Sequence, residues 1–525
     1  MRIITIDRSE PLFDTTATRS IEKAAQAALP HHALMERAGL AVAQLARALV
    51  PHARCIWVAC GPGNNGGDGL VAAAHLHEWA QQTGGATQVV VTHTATDAAT
   101  IAKLPPDARQ AWETAQAAGV TFQAAPPQNA DLAIDALLGI GAPRSPTGLL
   151  ATWLTQLRTT AAPVLCVDLP SGLHADTGAL AALDPETKHP AACVPPGPRH
   201  TLSLLTLKPG LFTGQGRDAA GQIWFDDLGT GQSVSMPVTA WLVGPVATAP
   251  PRRAMAHASH KGSFGDVVVI GGQGMRTTGE GMTGAAILAA RAALHAGAGR
   301  VFVCLLEADS SNATTWDPVC PELMFRRSDT VLDTPLVQRA SVVCGCGGGA
   351  SVATILPGLL SSAATLVLDA DALNAVAKDV HLQQQLTQRQ RHGWTTVLTP
   401  HPLEAARLLG TDTAHVMAHR LQAAQTLAER FGAICVLKGS GTVIAAPSEV
   451  PRINPTGNAM LATAGTGDVL AGMIGSALAR PAGSPTEAME RVASAVFMHG
   501  WLADQWNPNE ALVAGRLALQ ARPLN

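Results

Sequence analysis

Short β-branched runs alternate with longer Ala/Leu-rich stretches of helical spacing, and the alternation occurs twice along the chain. The first series contains RCIWVACG (54–61), TQVVVTH (87–93), DLAIDALLG (131–139) and APVLCVDLPSG (162–172). The second contains GDVVVIGG (265–272), GRVFVCL (299–305), ASVVCGCGGG (340–349), ATLVLDADAL (364–373), TTVLTPHPLEAARLL (395–409) and AICVLKGSGTVIAA (433–446). Near-continuous apolar runs joined by helices predict parallel sheets covered on both faces, so the expected fold class is α/β in each half. Between the series, over residues 228–256, periodicity fades and Gly and Pro increase, which predicts a linker. The expected layout is one domain over 1–228, a linker over 229–255 and a second domain over 256–525.

With 525 residues, 47% of them hydrophobic and 14% charged, the chain can build two full cores and reads as a soluble globular protein. A net charge of −3 without any Lys/Arg block argues against nucleic acid and anionic membrane as partners. The N-terminal stretch MRIITIDRSEP has no long apolar run, so neither a signal peptide nor a transmembrane anchor is expected. Nine cysteines lie scattered in strand-like runs without a CxxC pair, which predicts reduced, buried thiols and a cytoplasmic setting. Cys344 and Cys346, as CGC, stand too close together for a zinc knuckle.

Ligands of open parallel sheets sit at the carboxyl ends of the strands, so residues just after each apolar run are the candidates for chemistry. The first run ends in CGPGNNGGDGL (60–70), a loop able to wrap closely around an ion, with Asn residues that tolerate left-handed backbone. A plain strand-to-helix turn capped by Asp68 is the structural alternative. Asp135 ends the third run, and Asp168 with Ser171 ends the fourth. Asn65, Asp135 and Ser171 offer only oxygen ligands, which suits a hard cation, while a helix cap accounts for Asp135 equally simply. In the second half, GTGDVLAGMI (465–474) carries Asp468 into the first turn of a helix. Unpaired N–H groups and the helix dipole favour negative charge there, and Gly465 and Gly467 admit a phosphate that a Cβ would push away. Asp468 is placed to take a proton from a hydroxyl attacking that phosphate.

Four motifs in the first half, LMERAG (34–39), GPGNNGGDGL (61–70), IDALLGIG (134–141) and VDLPSG (167–172), resemble the epimerase half of the bifunctional NAD(P)H-hydrate repair enzymes. The second half resembles their ADP-dependent dehydratase through HKGSFGDVVVIGG (260–272), GMTGAAILAARAALHAGAGRV (281–301), LDADALN (368–374), TPHPLEAARLLG (399–410), LKGSGTVIA (437–445) and GTGDVLAGMI. The likeness runs from residue 18 to 505 and implies a Rossmann-like αβα sandwich followed by a ribokinase-like αβα domain. Two departures stand out: the turn that usually reads GPGLG is GCGGG here (345–349), and the loop QGMRTTGEGMTG (273–284) is enlarged.

What the resemblance implies is repair of a nicotinamide cofactor whose ring has taken up water across C5=C6. The R and S hydrates, NADHX or NADPHX, would be interconverted, and the S form dehydrated at the expense of ADP or ATP. In the epimerase half, Asn64, Asn65, Gly66, Gly67 and Asp68, with Gly139, Ile140, Gly141, Ala142, Pro143, Arg144 and Ser145, would hold the hydrate beside Asp168 as acid/base. Asn65, Asp135 and Ser171 would bind potassium. In the dehydratase half, Ala285, Gly347, His401 and Asp468 would line the hydrate site, with Asp468 as base. Lys438, Gly439, Ser440, Gly441, Thr442 and Gly467 would bind the nucleotide, with Mg2+ accompanying it. Asp369 and Asp371 are open to two readings, orientation of magnesium or strand-end capping. A homotetramer is the implied assembly. Two other functions fit the residues alone: a ribokinase-like kinase for a vitamin precursor, which would release a phosphorylated product, and a nucleotide-binding regulator.

Overall fold

The structure, a computed structural model, describes residues 1–141, 145–182, 195–231, 236–245, 256–275, 279–306 and 315–523. The chain divides into two units, Met1–Thr5 with Pro11–Ala240, and Ile6–Glu10 with Trp241–Asn525. The segment Ile6–Glu10 thus leaves its sequence neighbours for the second unit, where the Gly244 N–H donates to Ser9 Oγ at 3.1 Å.

In the first unit the strands lie in the order Arg2–Ile3, Gln222–Asp226, Arg199–Leu204, Val164–Val167, Leu132–Ala136, Cys55–Cys60, Gln88–His93 and Thr121–Phe122. Every neighbouring pair is parallel except Arg2–Ile3 with Gln222–Asp226. Strand order reverses between Cys55–Cys60 and Leu132–Ala136, which makes the crevice at their carboxyl ends the expected ligand position. Side chains follow the two-residue period of a strand buried on both faces. Ile56, Val58 and Cys60 pack with Val42, Leu70 and Leu76, whereas Trp57 and Ala59 pack with Trp153, Leu154 and Leu157.

The second unit repeats the plan with a larger sheet, in the order Met324–Phe325, Arg300–Leu305, Asp266–Gly271, Ser341–Cys344, Thr365–Leu368, Thr395–Leu398, Ile434–Leu437, Val443–Ala445 and Arg452–Ile453. The order reverses between Asp266–Gly271 and Ser341–Cys344. Val267, Val269, Val301, Val303 and Val343 face one core, and Val268, Ile270, Phe302 and Val342 face the other. Each of these fully buried side chains contributes roughly 1.5–3 kcal/mol. Helix Thr466–Ala477 approaches helix Thr283–His295 so closely that a Cβ at Gly472 would lie 2.0 Å from the Ala289 carbonyl oxygen.

Two elements differ from the sequence expectation. The run 433–446 is two antiparallel strands, because Gly439 (φ 136°) and Gly441 (φ 63°) turn the chain back between Leu437 and Val443. Within the predicted linker 229–255, Ala240–Leu242 is a strand whose Trp241 and Leu242 pair in parallel with Arg452 and Ile453. Three residues are too short a stretch to show alternation in sequence. Residues 232–235 and 246–255 of that linker lie outside the described set. Among the described residues no helix is long and apolar enough to cross a membrane.

Candidate active sites

At the first switch point the strand Cys55–Cys60 passes through Gly61–Gly63 into helix Asn64–Gln82. Asn64–Asp68 are therefore the opening turns of that helix, and its N-cap is Gly63 without a side-chain cap, so Asp68 is not the cap. The N–H groups of the first turn have no intrahelical partners and favour an anion. A Cβ at Gly61 would lie 1.7 Å from the Leu137 carbonyl oxygen, which is why the two strand-end loops can touch. They enclose a cavity of about 470 Å³ lined by Asn64, Asn65, Asp68, Gly139, Ile140, Gly141 and Asp168, with Arg19, Glu22 and Lys208.

Asp168 has φ 66°, a left-handed backbone that costs a non-glycine residue about 1–3 kcal/mol. The conformation turns its carboxylate toward Lys208, which is fully buried. Asp168 Oδ1 accepts from Lys208 Nζ and, at 3.0 Å, from the Leu204 N–H. The ammonium also donates to the Leu204 carbonyl at 2.8 Å and to Ser203 Oγ at 3.3 Å, so its three protons have three acceptors. Around this pair burial, and then the Asp168 charge, raise both Glu22 and Asp68 above the ordinary carboxylate range. Beneath it, buried Asp135 accepts from Ser171 Oγ at 2.5 Å and from the Ser171 N–H at 2.9 Å, and burial pushes this carboxyl up as well. The Asn65 side-chain Nδ2 is buried with no hydrogen-bond partner.

In the second unit Gly465 (φ 90°) starts helix Thr466–Ala477 without a side-chain cap. Asp468 lies in its first turn, and Lys438 stands over it: a Cβ at Gly467 would be 3.5 Å from Lys438 Nζ. Lys438 Nζ donates to Asp369 Oδ1 at 2.8 Å, and Thr399 Oγ1 donates to the same oxygen at 2.7 Å. Asp371 Oδ2 instead accepts from the Gly349 N–H at 2.8 Å. Burial works against the Lys438 charge, but Asp369 and Glu404 more than offset it and hold the ammonium above its ordinary value. Asp468 is pushed up to about 6, chiefly by burial and next by Asp369, against the opposing effects of Cys346 and Lys438. A carboxylate that titrates there is matched to proton transfer near neutral pH.

The turn after Ser341–Cys344 places Gly347 (φ 58°) against the helix Thr283–His295, where a Cβ would lie 2.8 Å from Ala285 Cβ. His401 is the N-cap of helix Pro402–Leu409. Its Nδ1 accepts from the N–H groups of Leu403 at 3.1 Å and Glu404 at 3.2 Å, and Glu404 Oε2 returns the bond to the His401 N–H at 2.8 Å. With Nδ1 accepting, the proton of the neutral ring belongs to Nε2, 3.2 Å from Glu404 Oε1. The Lys438–Thr442 turn is held from below by Arg420, whose buried guanidinium donates to the carbonyls of Leu437, Lys438 and Gly441 at 3.2–3.3 Å.

Residues 31–210 match the family model for the YjeF-related protein N-terminus, and residues 267–522 match that for NAD(P)H-hydrate dehydratase. The bifunctional NAD(P)H-hydrate repair enzyme of Escherichia coli (strain K12) is 35% identical over 488 residues, covering 90% of this chain and 84% of that protein. The chain belongs to the bifunctional NAD(P)H-hydrate repair enzymes. The ADP-dependent (S)-NAD(P)H-hydrate dehydratase of Neisseria meningitidis serogroup B is 39% identical over 274 residues, 52% of this chain and 87% of that one. An ADP/ATP-dependent NAD(P)H-hydrate dehydratase of Bacillus subtilis, crystallised with ATP/Mg2+, is similar at 30% identity and TM-score 0.41, covering 52% of this chain and 91% of that chain.

As a repair enzyme the chain joins an epimerase domain to a dehydratase domain, and the vitamin-kinase reading falls away. Of the residues expected at the epimerase site, Gly66 and Gly67 are buried in the helix outside the cavity lining, and Ser145 is exposed outside it. Ala142, Pro143 and Arg144 lie outside the described residues. In the dehydratase site Asp468, Lys438 and Gly467 come together, as do Gly347 and Ala285. Asp369 proves to be the partner of Lys438 and Thr399, which leaves its Oδ1 committed. Sequence reasoning passed over Lys208, Glu22, Arg420 and Cys346. Lys208 carried one signal, a lone cation closing the apolar run LLTLKPG.

Proposed function

We propose that the Asp168–Lys208 cavity interconverts the R and S hydrates of NADH and NADPH, and that the Asp468 site dehydrates the S hydrate with ADP or ATP. The observation that carries the reading is Asp468, titrating near 6 at an uncapped glycine turn beside Lys438, in one chain with a dinucleotide-sized cavity whose single buried cation meets Asp168. In the epimerase site the C6 hydroxyl leaves as water, taking a proton relayed from the Lys208 ammonium through Asp168, and water returns on the opposite ring face, its proton going back by the same pair. Lys208 holds the Asp168 carboxylate in its strained position, and the opening turn of the helix Asn64–Gln82 receives phosphate of the dinucleotide.

In the dehydratase site Asp468 takes the proton of the C6 hydroxyl as that oxygen attacks the terminal phosphorus of the nucleotide. The bond from phosphorus to the leaving nucleotide breaks, giving AMP from ADP. Phosphate then departs from C6 with its bonding electrons, a proton leaves C5, and the C5=C6 bond is restored. Lys438 and the N–H groups of 466–468 stabilise the charge on the transferring group. His401, Gly347 and Ala285 shape the hydrate pocket, and the 438–442 turn receives the nucleotide phosphates.

Potassium fits the epimerase residues. Asp135 and Ser171 present oxygens, burial disfavours the Asp135 charge unless a cation accompanies it, and the orphaned Asn65 amide needs only to turn to present its oxygen. When bound, the ion would neutralise Asp135 behind the catalytic cavity. Magnesium fits the protein side chains of the dehydratase site poorly, since the one close cluster of ligand atoms among the described residues, Cys346, Asp369 and Asp468, includes a thiol. We assign it to the nucleotide phosphates and no step to it. A reducing, cytoplasmic setting completes the proposal, supported by eight free cysteines among the described residues.

The decisive assay is recovery of NADH absorbance from mixed R and S hydrates with ADP, ATP or neither, in potassium and then sodium buffer. Recovery of both epimers that requires nucleotide supports both assignments. Asp168→Asn should then recover only the S hydrate, and Asp468→Asn neither. Near-normal recovery in either variant overturns the role of that aspartate.

A further inference from the structure

The segment that delivers Asp468 is laid along helix Pro485–Asp504 and pinned to it at successive points. Thr456 Oγ1 donates to the Phe497 carbonyl at 2.8 Å, the Gly457 N–H donates to Asp504 Oδ2 at 2.8 Å, and Asn458 Nδ2 donates to Asp504 Oδ1 at 3.0 Å. A Cβ at Gly500 would lie 2.4 Å from Thr456 Oγ1, so the approach needs glycine there. The last point is His499, a buried side chain whose Nε2 is 2.9 Å from the Thr466 carbonyl oxygen. Thr466 Oγ1 donates in turn to the carbonyls of Leu461 at 2.8 Å and Thr463 at 3.0 Å. Thr466 is therefore held by its hydroxyl and its carbonyl together.

We propose that His499 is a positioning residue for phosphoryl transfer: its Nε2–H, bonded to the Thr466 carbonyl, aims the Gly467 N–H at the transferring group. This rests on the reading of the Asp468 site as the place of that transfer. A carbonyl oxygen only accepts, so Nε2 carries the ring proton and Nδ1 is bare. Burial lowers this histidine to about 4, with the Lys438 charge acting in the same direction and the Thr466 hydrogen bond against it. The ring is neutral near neutral pH and adds no charge to the site.

The peptide bond between Thr466 and Gly467 is trans, so its carbonyl and its N–H point in opposite directions. Fixing the carbonyl on His499 fixes the N–H at the other side of the same plane. Lys438 Nζ would be 3.5 Å from a Cβ at Gly467, which puts the ammonium and this peptide beside one space. Helix geometry already gives the Thr466 carbonyl the Leu470 N–H. The histidine is thus a second donor, not needed to satisfy a buried oxygen, and by polarising the peptide it makes the Gly467 N–H a stronger donor to negative charge.

The test is kcat and the KM for ADP in S-hydrate dehydration by the full-length protein, in wild type, His499→Leu, His499→Gln and Asp468→Asn, with thermal melting as the check on folding. His499→Leu removes the donor and should lower kcat between about ten- and a hundredfold while raising the KM for ADP less than about threefold. His499→Gln keeps an N–H for the same oxygen and should recover most of kcat. A kcat of His499→Leu within about twofold of wild type, or a folded His499→Gln as slow as His499→Leu, overturns the role of His499. If Asp468→Asn is inactive at the same time, the reading of the site stands without it. Dehydration retained in Asp468→Asn overturns that reading and the His499 role together. A further measurement needs neither turnover nor a folded His499→Leu: the nitrogen NMR spectrum of the histidine-labelled wild-type protein near pH 7, with the His499 signals assigned by their loss in His499→Gln. Nε2 should be protonated and Nδ1 bare. The opposite tautomer cannot donate to Thr466 and overturns the proposal.

Discussion

Replacing Asp468 by Asn should stabilise the second unit while abolishing dehydration. The carboxyl is raised to about 6 from an ordinary 3.8, first by burial and next by Asp369, so the folded unit binds its proton more tightly than the unfolded chain does. The sign follows directly. Below pH 3.8 both states are protonated and the group costs nothing; between 3.8 and 6 the unfolded chain ionises while the folded unit keeps its proton, so stability falls across that window and levels off above 6. Above pH 6 the full cost is about 3 kcal/mol, from about 2.2 pH units at roughly 1.4 kcal/mol each. At pH 5 it is about half of that. A neutral amide of the same size escapes this cost. For a unit of this length the gain corresponds to about 6 °C in melting temperature at pH 8 and about 3 °C at pH 5. Calorimetry of the full chain measures it, and the transition of the second unit is the one that added ADP shifts upward. No gain at pH 8, or an equal gain at both pH values, would refute the electrostatic account of Asp468.

Three further outcomes are expected. Lys208→Met should leave Asp168 without its ammonium, lower the stability of the first unit by about 3–5 kcal/mol and stop recovery of the R hydrate, with pure S hydrate still dehydrated; calorimetry and NADH absorbance check both, and normal R-hydrate recovery would remove Lys208 from the site. Arg420→Ala should release the Leu437, Lys438 and Gly441 carbonyls and raise the KM for ADP about tenfold, with a smaller change in kcat; titration calorimetry of ADP gives the same comparison, and unchanged affinity would mean that the turn holds its shape without the arginine. Exchange of potassium for lithium should slow epimerisation severalfold and leave dehydration of pure S hydrate unchanged. An equal effect on both reactions would place the ion elsewhere.

The strands around both switch points were legible because each is a β-branched run buried on both faces, and the polar residues that end them, Asp135, Asp168 and the GPGNNGGDG loop, interrupt those runs visibly. Asp468 was legible through its glycines. What escaped was everything that depends on a partner distant in sequence. Lys208 reaches Asp168 across 40 residues, Lys438 reaches Asp369 across 69, and Arg420 serves a turn that begins after the next strand. Cys346 read as one more buried thiol because burial, which the pattern reveals, says nothing about which carboxylates lie beside it. His401 looked like a pocket residue and is a helix cap first, since a histidine before Pro402 with Glu404 in place closes the same reciprocal hydrogen bonds that Ser and Glu usually make.

The assignment of Ile6–Glu10 to the second unit bears on how this protein is made and divided. These residues come before nearly the whole first unit in the sequence, while the rest of their own unit, Trp241 onward, comes after it. The second unit is thus discontinuous in sequence, with the first unit inserted between its two pieces. A division of the chain after residue 240 would leave Ile6–Glu10 on the upstream piece. The stability of the downstream piece with and without that segment grafted to its end measures what the inserted arrangement contributes.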